Sequence, residues 1–251
     1  MHVETEGMVL REGSVSGNAR SLVLLTAKLG KVTALARGAK SLRSGLAASC
    51  SQFVYSRFVL FCSQGRYTVD SAEPVELFIA LRDDIRKLAL SQYFAELSDY
   101  AAQEDIPAPE HLKLLANTLY VLAKTERDPG LIKACFELRL MSVCGYRPYL
   151  DGCAECGDDG LCGAFFDPQA GGLICRACAA GDVPPGCTEA PPGVIKAMRH
   201  ILDSEWQRLF SFSLPESSAG LLGRLTERFV ETQMGRSFPT LAFYSKLPKN
   251  P

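Results

Sequence analysis

The chain has 251 residues, a hydrophobic content of 47% and a formal net charge of −1. This length and apolar content are sufficient for two or three small domains with their own cores. The first residues are acidic and precede no apolar core segment, so we expect no signal peptide, and no apolar run approaches the ~18 residues of a membrane span. Ten cysteines, four of them in a metal-binding pattern, are typical of a reducing cytoplasm.

Five short strands are predicted in the N-terminal segment. They lie at residues 3–12, 20–26, 32–36, 53–61 and 66–71, with one helical turn at residues 46–50. Strands this short and this closely spaced favour a small closed barrel, for which the OB-fold is the natural candidate. We therefore assign residues 1–73 to an OB-fold domain that binds nucleic acid.

Helices are predicted for most of the remaining chain. Leucine-rich periodicity indicates helices at residues 75–102, after Pro107-Ala108-Pro109, after Asp128-Pro129, at 193–209 and at 215–234. The tail at residues 238–247 is expected to pack as a strand or against the helical bundle. The predicted fold class is α+β, with a helical domain in two parts, 74–150 and 191–251, and a metal module inserted at 151–190.

Two Cys-x-x-Cys pairs are the most specific motif of the chain. The first consists of Cys153 and Cys156 and the second of Cys175 and Cys178, with eighteen residues between the pairs, a spacing typical of zinc ribbons and knuckles. A two-residue gap lets one tight turn direct two sulfurs at one point, and Zn²⁺ prefers four ligands in a tetrahedron with thiolate sulfurs at ~2.3 Å. Glycines near both pairs, which allow tight turns, and a predicted hairpin at residues 164–174 also fit such a module. We therefore predict one bound Zn²⁺.

Two other roles are conceivable for these cysteines besides zinc binding. A thioredoxin-like redox pair would need one Cys-x-x-Cys beside a βαβ unit, and a disulfide framework would suit a small secreted domain. Four thiolates close the coordination sphere, whereas a catalytic zinc keeps a position for water, so the zinc is expected to be structural. Cys162 and Cys187 lie nearby. Either is able to replace a ligand, and each is expected to be a free buried thiol.

Charge is distributed unevenly along the chain. Residues 13–69 contain no Asp or Glu and eight Lys or Arg residues, whereas residues 145–190 contain seven acidic and two basic residues. A polyanion would bind the first segment and be repelled by the second. The candidate phosphate contacts are the basic residues Lys28, Lys31, Arg37, Lys40 and Arg43. The weaker candidates, on predicted strands, are Arg20, Arg57 and Arg66. The alternative is that all of these residues form an ordinary solvated face.

Aromatic residues of the predicted barrel offer platforms on which bases stack. These residues are Phe53, Tyr55, Phe58, Phe61 and Tyr67. Most of them are expected to fill the barrel interior, and at most one or two are expected on a binding face.

No catalytic constellation is predicted. The three histidines, His2, His111 and His200, are far apart in sequence, and neither a Walker-type glycine motif nor Gly-x-Ser-x-Gly occurs. The aspartate pairs at residues 83–84 and 158–159 are expected to be solvated, since adjacent residues do not face one another. We therefore expect a binding protein and not an enzyme.

Four stretches of the sequence carry a resemblance to a known family. They are residues 5–11 (TEGMVLR), residues 30–32 (GKV) with 36–40 (ARGAK) and Gln52-Phe53, residues 136–140 (FELRL) with 145–148 (GYRP), and the paired Cys-x-x-Cys. In order and spacing they resemble the RecO family of bacterial recombination mediators across nearly the whole chain. Residues 235–239 follow the family pattern loosely, so no partner site is assigned to the tail.

The resemblance implies an N-terminal OB-fold, a helical domain and a zinc module inserted in it. It further implies that the chain binds single- and double-stranded DNA and anneals complementary strands. RecO-like proteins act with RecR and help RecA to displace single-stranded DNA-binding protein (SSB), whose C-terminal tail is one contact to be tested. The implied location is the cytoplasm, in association with the nucleoid. Some members of the family lack the zinc cysteines, so the activity does not require the metal.

Two other functions remain open on the sequence alone. A zinc-ribbon factor associated with RNA or the ribosome would share the OB-fold and the basic loop, and would prefer structured RNA to DNA. A zinc-dependent or thiol-redox enzyme would need an open metal position or a reactive cysteine.

Overall fold

The computed structural model describes residues 1–15, 17–41, 44–160, 162–180 and 183–248. The chain divides into two compact units. The first contains Met1–Thr125 together with the chain from Phe238 onward, and the second contains Glu126–Ser237. The four-part domain division from the sequence is finer than these two units and stays a prediction. No helix within the described ranges is both long and apolar enough to cross a membrane.

Strands and helices alternate in long blocks along the chain. The strands are β1 His2–Ser14, β2 Arg20–Thr26, β3 Gly30–Ala36, β4 Tyr55–Ser63, β5 Arg66–Glu76, β6 Tyr149–Cys153, β7 Ala164–Asp167, β8 Gly172–Cys175 and β9 Thr188–Ala190. The α-helices are α1 Leu46–Ser49, α2 Ile85–Ala101, α3 Pro109–Lys124, α4 Pro129–Val143, α5 Pro192–Asp203, α6 Glu216–Met234 and α7 Pro239–Lys246. The predicted α+β class is confirmed.

The first five strands close into a barrel. Their order is β1-β2-β3-β5-β4, with β3 and β5 parallel and the other neighbours antiparallel. The short helix α1 lies between β3 and β4, which is the connectivity of an OB-fold. Alternate side chains such as Leu22 and Leu24 on β2 and Phe58 and Leu60 on β4 are fully buried and fill the interior. The predicted OB-fold barrel is confirmed.

The last barrel strand is longer than predicted. β5 continues through Pro74 to Glu76, so the helix predicted from residue 75 is wrong at its start. Proline has no backbone N–H and is tolerated in strands mainly at irregularities of the ladder. Such an irregularity is present, because the register of β4 with β5 shifts between Tyr55 and Ser56, opposite this proline.

Helix α2 begins at Ile85 because Asp84 caps it. The carboxylate of Asp84 accepts hydrogen bonds from the backbone N–H groups of Arg86 at 2.7 Å and Lys87 at 3.2 Å. These groups have no partner inside the helix, so a side-chain acceptor stabilises the first turn. Asp84 is therefore a helix cap and not the simple solvated residue that the sequence predicted.

The C-terminal helix α7 packs against α2 in the first unit. Phe238, which precedes α7, meets the rings of Tyr93 and Tyr100 edge to face, with centroid distances of 5.8 and 6.1 Å. The carboxylate of Glu96 accepts a hydrogen bond from the backbone N–H of Thr240 at 3.2 Å, which satisfies the first turn of α7. The alternative of a strand at residues 238–247 is thus wrong, and packing against helices is confirmed.

The barrel and the α2–α3 connection share an interface inside the first unit. The backbone N–H of Lys31 donates to Gln103 O at 3.0 Å, and Lys31 Nζ donates to the backbone carbonyl of Asp99 at 2.6 Å. The approach is close at Gly30, whose φ is +64° and where an added Cβ would lie 2.2 Å from Ile106 O. Only glycine fits this position.

In its described residues, the second unit combines a small sheet with the α-helices α4, α5 and α6. The sheet order is β6-β8-β7-β9, and β7 and β8 form the hairpin that the sequence predicted. Helix α4 packs against α5 and α6 and carries the buried Lys133, whose Nζ lies 3.0 Å from the Glu137 carboxylate and 2.9 Å from that of Glu227. Thr226 donates to Glu137 at 2.6 Å, so these buried charges have the partners that burial requires.

Helix α5 ends before residue 204, whereas the sequence predicted a helix to residue 209. Two arginines satisfy its last carbonyl groups, which have no partner inside the helix. The guanidinium of Arg139 donates to the carbonyls of Ile201 and Ser204, both at 3.1 Å, and that of Arg147 donates to Leu202 O at 3.2 Å.

We expect Gly30→Ala to destabilise the chain strongly. The left-handed backbone costs about 1–2 kcal/mol for a residue with a Cβ, and the overlap with Ile106 O adds about 1–3 kcal/mol. Gly65→Ala is the matched control, since Gly65 has a φ of +71° and nothing within 4 Å of an added Cβ. Urea denaturation of both variants measures the difference, and equal unfolding free energies would contradict the close contact at Gly30.

We expect stability to fall as the pH decreases from about 6.5 to about 4, because of His111. This side chain on α3 is 3% exposed, its Nε2 atom has no hydrogen-bond partner in the described residues, and burial lowers its pKa to about 4. Between these pH values the unfolded chain binds a proton that the folded chain does not, so the free energy of unfolding should decrease by about 3 kcal/mol.

The pH dependence assigned to His111 is measured by urea denaturation at a series of pH values. His111→Leu should remove this part of it. His2→Gln, at a side chain that is 58% exposed, should leave it unchanged. The same pH profile in wild type and His111→Leu would contradict the assignment.

Candidate metal centre and nucleic-acid surface

Four cysteines form one cluster in the second unit. The Sγ atoms of Cys153, Cys156, Cys175 and Cys178 all lie within 4.8 Å of one another. Cys153 ends β6 and Cys175 ends β8, and these two strands are parallel neighbours in the sheet. The sheet therefore brings together two Cys-x-x-Cys turns that are far apart in sequence, as the spacing predicted.

The first turn of the cluster depends on tight backbone geometry. Gly157 has a φ of +76°, and its N–H donates to Cys153 O at 2.9 Å. The N–H of Cys153 donates to Asp158 O at 2.8 Å. A Cβ at Gly152 would lie 3.1 Å from two backbone oxygens of this turn. The glycines on both sides of the first pair thus allow the chain to fold around the sulfurs.

Backbone N–H groups point at the sulfurs of Cys153 and Cys175, and those around Cys153 favour its thiolate form. The N–H of Cys175 donates to Cys153 Sγ at 3.2 Å, and that of Cys178 donates to Cys175 Sγ at 3.4 Å. Burial alone would raise the pKa of Cys153. The backbone N–H groups of Cys175, Cys156 and Glu155 outweigh burial and lower this pKa to about 6. A thiolate at this position suits a bound cation.

One sulfur–sulfur distance in the cluster equals that of a tetrahedral thiolate site, and the others stay within 4.8 Å. Bonds of ~2.3 Å from a central ion to four thiolates imply sulfur–sulfur separations of about 3.8 Å. The Sγ atoms of Cys156 and Cys175 are 3.8 Å apart. These four cysteines could therefore hold a metal ion.

The remaining cysteines of the module lie outside the cluster. Cys162 is exposed and Cys187 is half-buried, so the expectation that both are buried is wrong. Neither belongs to the group of sulfurs that lie close together in the described residues.

The basic residues predicted to bind phosphate differ in their surroundings. Lys28 and Arg37 are exposed and have no ion-pair partner in the described ranges. Lys40 is exposed, and its Nζ donates to the carbonyls of Val15 and Gly17 at 2.8 and 3.2 Å. Arg43 lies outside the described residues. DNA contact by these residues stays a prediction.

Lys31 has a structural role that the sequence did not indicate. Besides its bond to the backbone of Asp99, its Nζ lies 3.4 Å from the Asp99 carboxylate, and only 20% of its side chain is exposed. Arg11 contacts the same carboxylate at 3.4 Å. Lys31 is therefore the weakest of the described candidates for a phosphate contact.

Acidic residues from outside the basic segment neutralise part of its charge. Arg20 lies 2.9 Å from the carboxylate of Glu12 on β1, and Arg57 lies 3.8 Å from that of Glu73 on β5. β1 and β5 both pair with β4 in the barrel. Residues 13–69 contain no acidic residue, but the surface they form in the barrel includes carboxylates from β1 and β5.

The barrel offers few aromatic rings for base stacking. Phe53 and Phe58 are buried, and Tyr55 is half-buried with its hydroxyl 2.7 Å from the Glu6 carboxylate. Phe61 is 40% exposed and lies beside His2, with ring centroids 5.0 Å apart. Tyr67 is half-buried. Two of the five rings are thus buried, two are half-buried and one is exposed. The expectation of one or two exposed rings is confirmed, and the expectation that most fill the interior is not.

Comparisons with known proteins agree over nearly the whole chain. Residues 1–78 match the family described as "Recombination protein O N terminal", and residues 82–242 match "Recombination protein O C terminal". A protein from Acetivibrio thermocellus named "DNA repair protein RecO" is 32% identical over 248 residues, which cover 99% of this chain and 98% of that protein.

Two further proteins of the same name are similar. The one from Desulforudis audaxviator is 33% identical over 97% of this chain and 96% of its own length. The one from Alkaliphilus metalliredigens is 38% identical over 71% of this chain and 72% of its own length.

We expect Cys178→Ser to lose bound metal. The substitution removes one of four converging thiols, and a hydroxyl is a much poorer ligand for a thiolate-type site. Elemental analysis of the purified protein should show metal falling well below one ion per chain. Cys162→Ser, at an exposed cysteine outside the cluster, should keep the metal. Equal metal content in both variants would contradict the assignment of the site.

Proposed function

The chain belongs to the RecO family of DNA repair proteins, and from this membership we propose that it is a mediator of homologous recombination. In this role it binds single- and double-stranded DNA and anneals complementary strands. Together with RecR, it assists the loading of RecA on single-stranded DNA that is coated with SSB. The observation that carries the proposal is a closed OB-fold barrel, matched to the family over its full length, whose loops expose the cations Lys28, Arg37 and Lys40.

The proposed DNA contacts are Lys28, Arg37 and Lys40. All three are exposed and lie in turns or loops that follow barrel strands. Cations on such loops neutralise phosphates without reading bases, which gives the sequence tolerance that a recombination mediator needs. Arg43, three residues after Lys40 in the sequence, stays a proposed contact on sequence grounds alone.

The loop that carries Lys40 is braced by its neighbour. The Lys40 side chain bonds to two carbonyls of the β1–β2 loop, and its backbone N–H donates to Asn18 O at 3.4 Å. The two loops at this end of the barrel therefore support each other, and the ammonium bonds to uncharged carbonyls and not to a carboxylate of the described residues. A fixed positive surface lowers the mutual repulsion of two DNA strands held on it, and this supports the proposed annealing activity.

We propose that the four-cysteine cluster holds one Zn²⁺ with a structural role. Zn²⁺ favours thiolates in a tetrahedron, and the four sulfurs of Cys153, Cys156, Cys175 and Cys178 lie within 4.8 Å of one another. When bound, the ion cross-links β6 to β8 and thereby stabilises the small sheet. In zinc-finger peptides such binding contributes about 10–16 kcal/mol of apparent free energy.

The proposed role is that of a DNA-binding protein and not of an enzyme. Two of the three histidines are engaged or enclosed: His200 Nε2 lies 2.9 Å from Arg208 O, and His111 is buried. The proposed partners are DNA, RecR and SSB, with RecA reached indirectly, and the proposed location is the cytoplasm in association with the nucleoid.

We expect Lys28→Gln and Arg37→Gln each to weaken binding of single-stranded DNA and to reduce the log–log salt slope by about 0.7, because each removes one phosphate contact. Fluorescence anisotropy with a labelled oligonucleotide across a salt series measures both effects. Lys31→Gln is the matched control. It should lower the melting temperature, because Lys31 is bound to Asp99, and should leave the slope unchanged.

Annealing of a complementary strand is followed in the same samples and should slow in parallel with the loss of DNA affinity. Absence of DNA binding by the wild type at low salt would refute the proposed function. Stronger binding of structured RNA than of DNA would instead favour an RNA-associated factor.

A further inference from the structure

Two exposed tyrosines stand on either side of Arg147-Pro148 in the second unit. Tyr146 is 44% exposed and Tyr149 is 50% exposed. Their backbone is fixed, because Tyr146 N donates to Met141 O at 2.8 Å and Tyr149 N donates to Gly171 O at 2.7 Å. The two rings thus face solvent from a segment whose backbone is held in place. Packing in the buried core therefore does not explain why large aromatic side chains occupy these two positions.

A basic cleft lies beside this segment. Its volume is about 570 Å³, and its lining includes Lys196, Arg199, Asp203, Glu205 and Arg208. Hydrogen bonds connect the cleft to the tyrosine segment.

Two arginines make this connection. Arg199, in the lining, donates to Leu150 O at 2.8 Å, directly after Tyr149. Arg147, between the two tyrosines, contacts the Asp203 carboxylate in the lining at 2.5 Å. We call the tyrosine pair with Lys196, Arg199 and Arg208 the α5 surface.

The α5 surface has excess positive charge. Asp203 is already paired with Arg147, so the three cations of the lining face one further lining carboxylate, that of Glu205. Lys196 and Arg208 are exposed, and no carboxylate of the described residues forms an ion pair with either. Arg199 bonds to backbone carbonyls of β6 and keeps its charge. The acidic composition of residues 145–190 conceals this patch, because its cations come from α5 and the turn that follows it.

We propose that the α5 surface is a second binding site for single-stranded nucleic acid, in addition to the barrel. Aromatic rings that stack on bases, combined with cations that track phosphates, are the chemistry of sequence-tolerant single-strand binding. Tyr146 and Tyr149 supply the rings, and Lys196 and Arg208 supply free cations. The proposal rests on the proposed DNA-binding function and deepens it. The barrel contacts phosphates, whereas the tyrosines of the α5 surface stack on bases.

Single strands fit the α5 surface better than duplexes do. Bases in a duplex are stacked on one another and are not free to stack on an exposed side chain, whereas those of a single strand are. The tyrosines should therefore contribute to single-strand binding alone, and the cations to both forms. A loss of binding that is limited to single strands therefore indicates base stacking. A general effect of charge or of misfolding would weaken duplex binding as well.

The test uses the full chain and fluorescence anisotropy with a labelled single-stranded oligonucleotide and a duplex of the same length. We expect Tyr146→Ala/Tyr149→Ala to weaken single-strand binding at least about five-fold and to leave duplex binding unchanged. Tyr149→Phe should bind like the wild type, because the ring is kept. Lys196→Gln/Arg208→Gln should reduce the single-strand salt slope by about 1.4, for two phosphate contacts.

The matched controls lie on α3 in the first unit. Tyr120, which is 51% exposed, is replaced by alanine, and the exposed Lys124 by glutamine. Neither change should alter binding. Melting temperatures within experimental error of the wild type exclude misfolding as the cause of any loss.

Photo-crosslinking to an oligonucleotide that contains 5-iodouracil, followed by peptide mapping, supplies a second measurement. Crosslinks to Tyr146 or Tyr149 would support the proposal, and crosslinks to the barrel alone would overturn it. Single-strand binding that persists at wild-type strength in both α5-surface variants would also overturn it, while the proposed function would stand. A third outcome concerns an acidic peptide that the wild type binds. If the α5-surface variants lost binding to this peptide and kept DNA binding, the surface would be assigned to a protein partner and the proposal would be rejected.

Discussion

The contact between the β2–β3 turn and the α2–α3 connection holds the first unit together. Gly30 lets the two backbones approach to a distance that any Cβ would block, and Lys31 then bonds to Asp99 beside it. A five-stranded barrel of this size buries only a modest fraction of its surface by itself. Packing against α2 and α3 adds buried area, and the aromatic contacts of Phe238 fix α7 to the same unit.

This contact also determines which charges remain for function. Lys31 belongs to the basic segment by sequence, yet its ammonium is engaged in the interface. Arg20 and Arg57 are likewise paired with acids that the barrel topology brings in from β1 and β5. The positive charge left for a polyanion is concentrated in loops. The second unit shows the opposite case, because an acidic segment of sequence lies beside a cleft lined with cations of α5 and the following turn.

The four-cysteine cluster and the buried charges of α4 differ in how far their residues are brought together by tertiary structure. Each Cys-x-x-Cys pair holds its two sulfurs three residues apart in the sequence, and local backbone hydrogen bonds with Gly157 shape the first turn. The Lys133–Glu137 pair is complete only when Glu227 and Thr226 arrive from α6. The first kind of site can be found from spacing, and the second cannot.

The sequence by itself determined the barrel strands, the hairpin of the metal module, the four clustered cysteines and the family resemblance. All of these depend on alternation, turn residues or fixed spacing, which are local properties of the chain. Only the tertiary structure decided that β5 continues through Pro74, that α7 returns to α2, and which cations are free. The physical reason is that a register shift, a helix-docking site or an ion pair is formed by residues that are distant in sequence, and their proximity is a product of the fold.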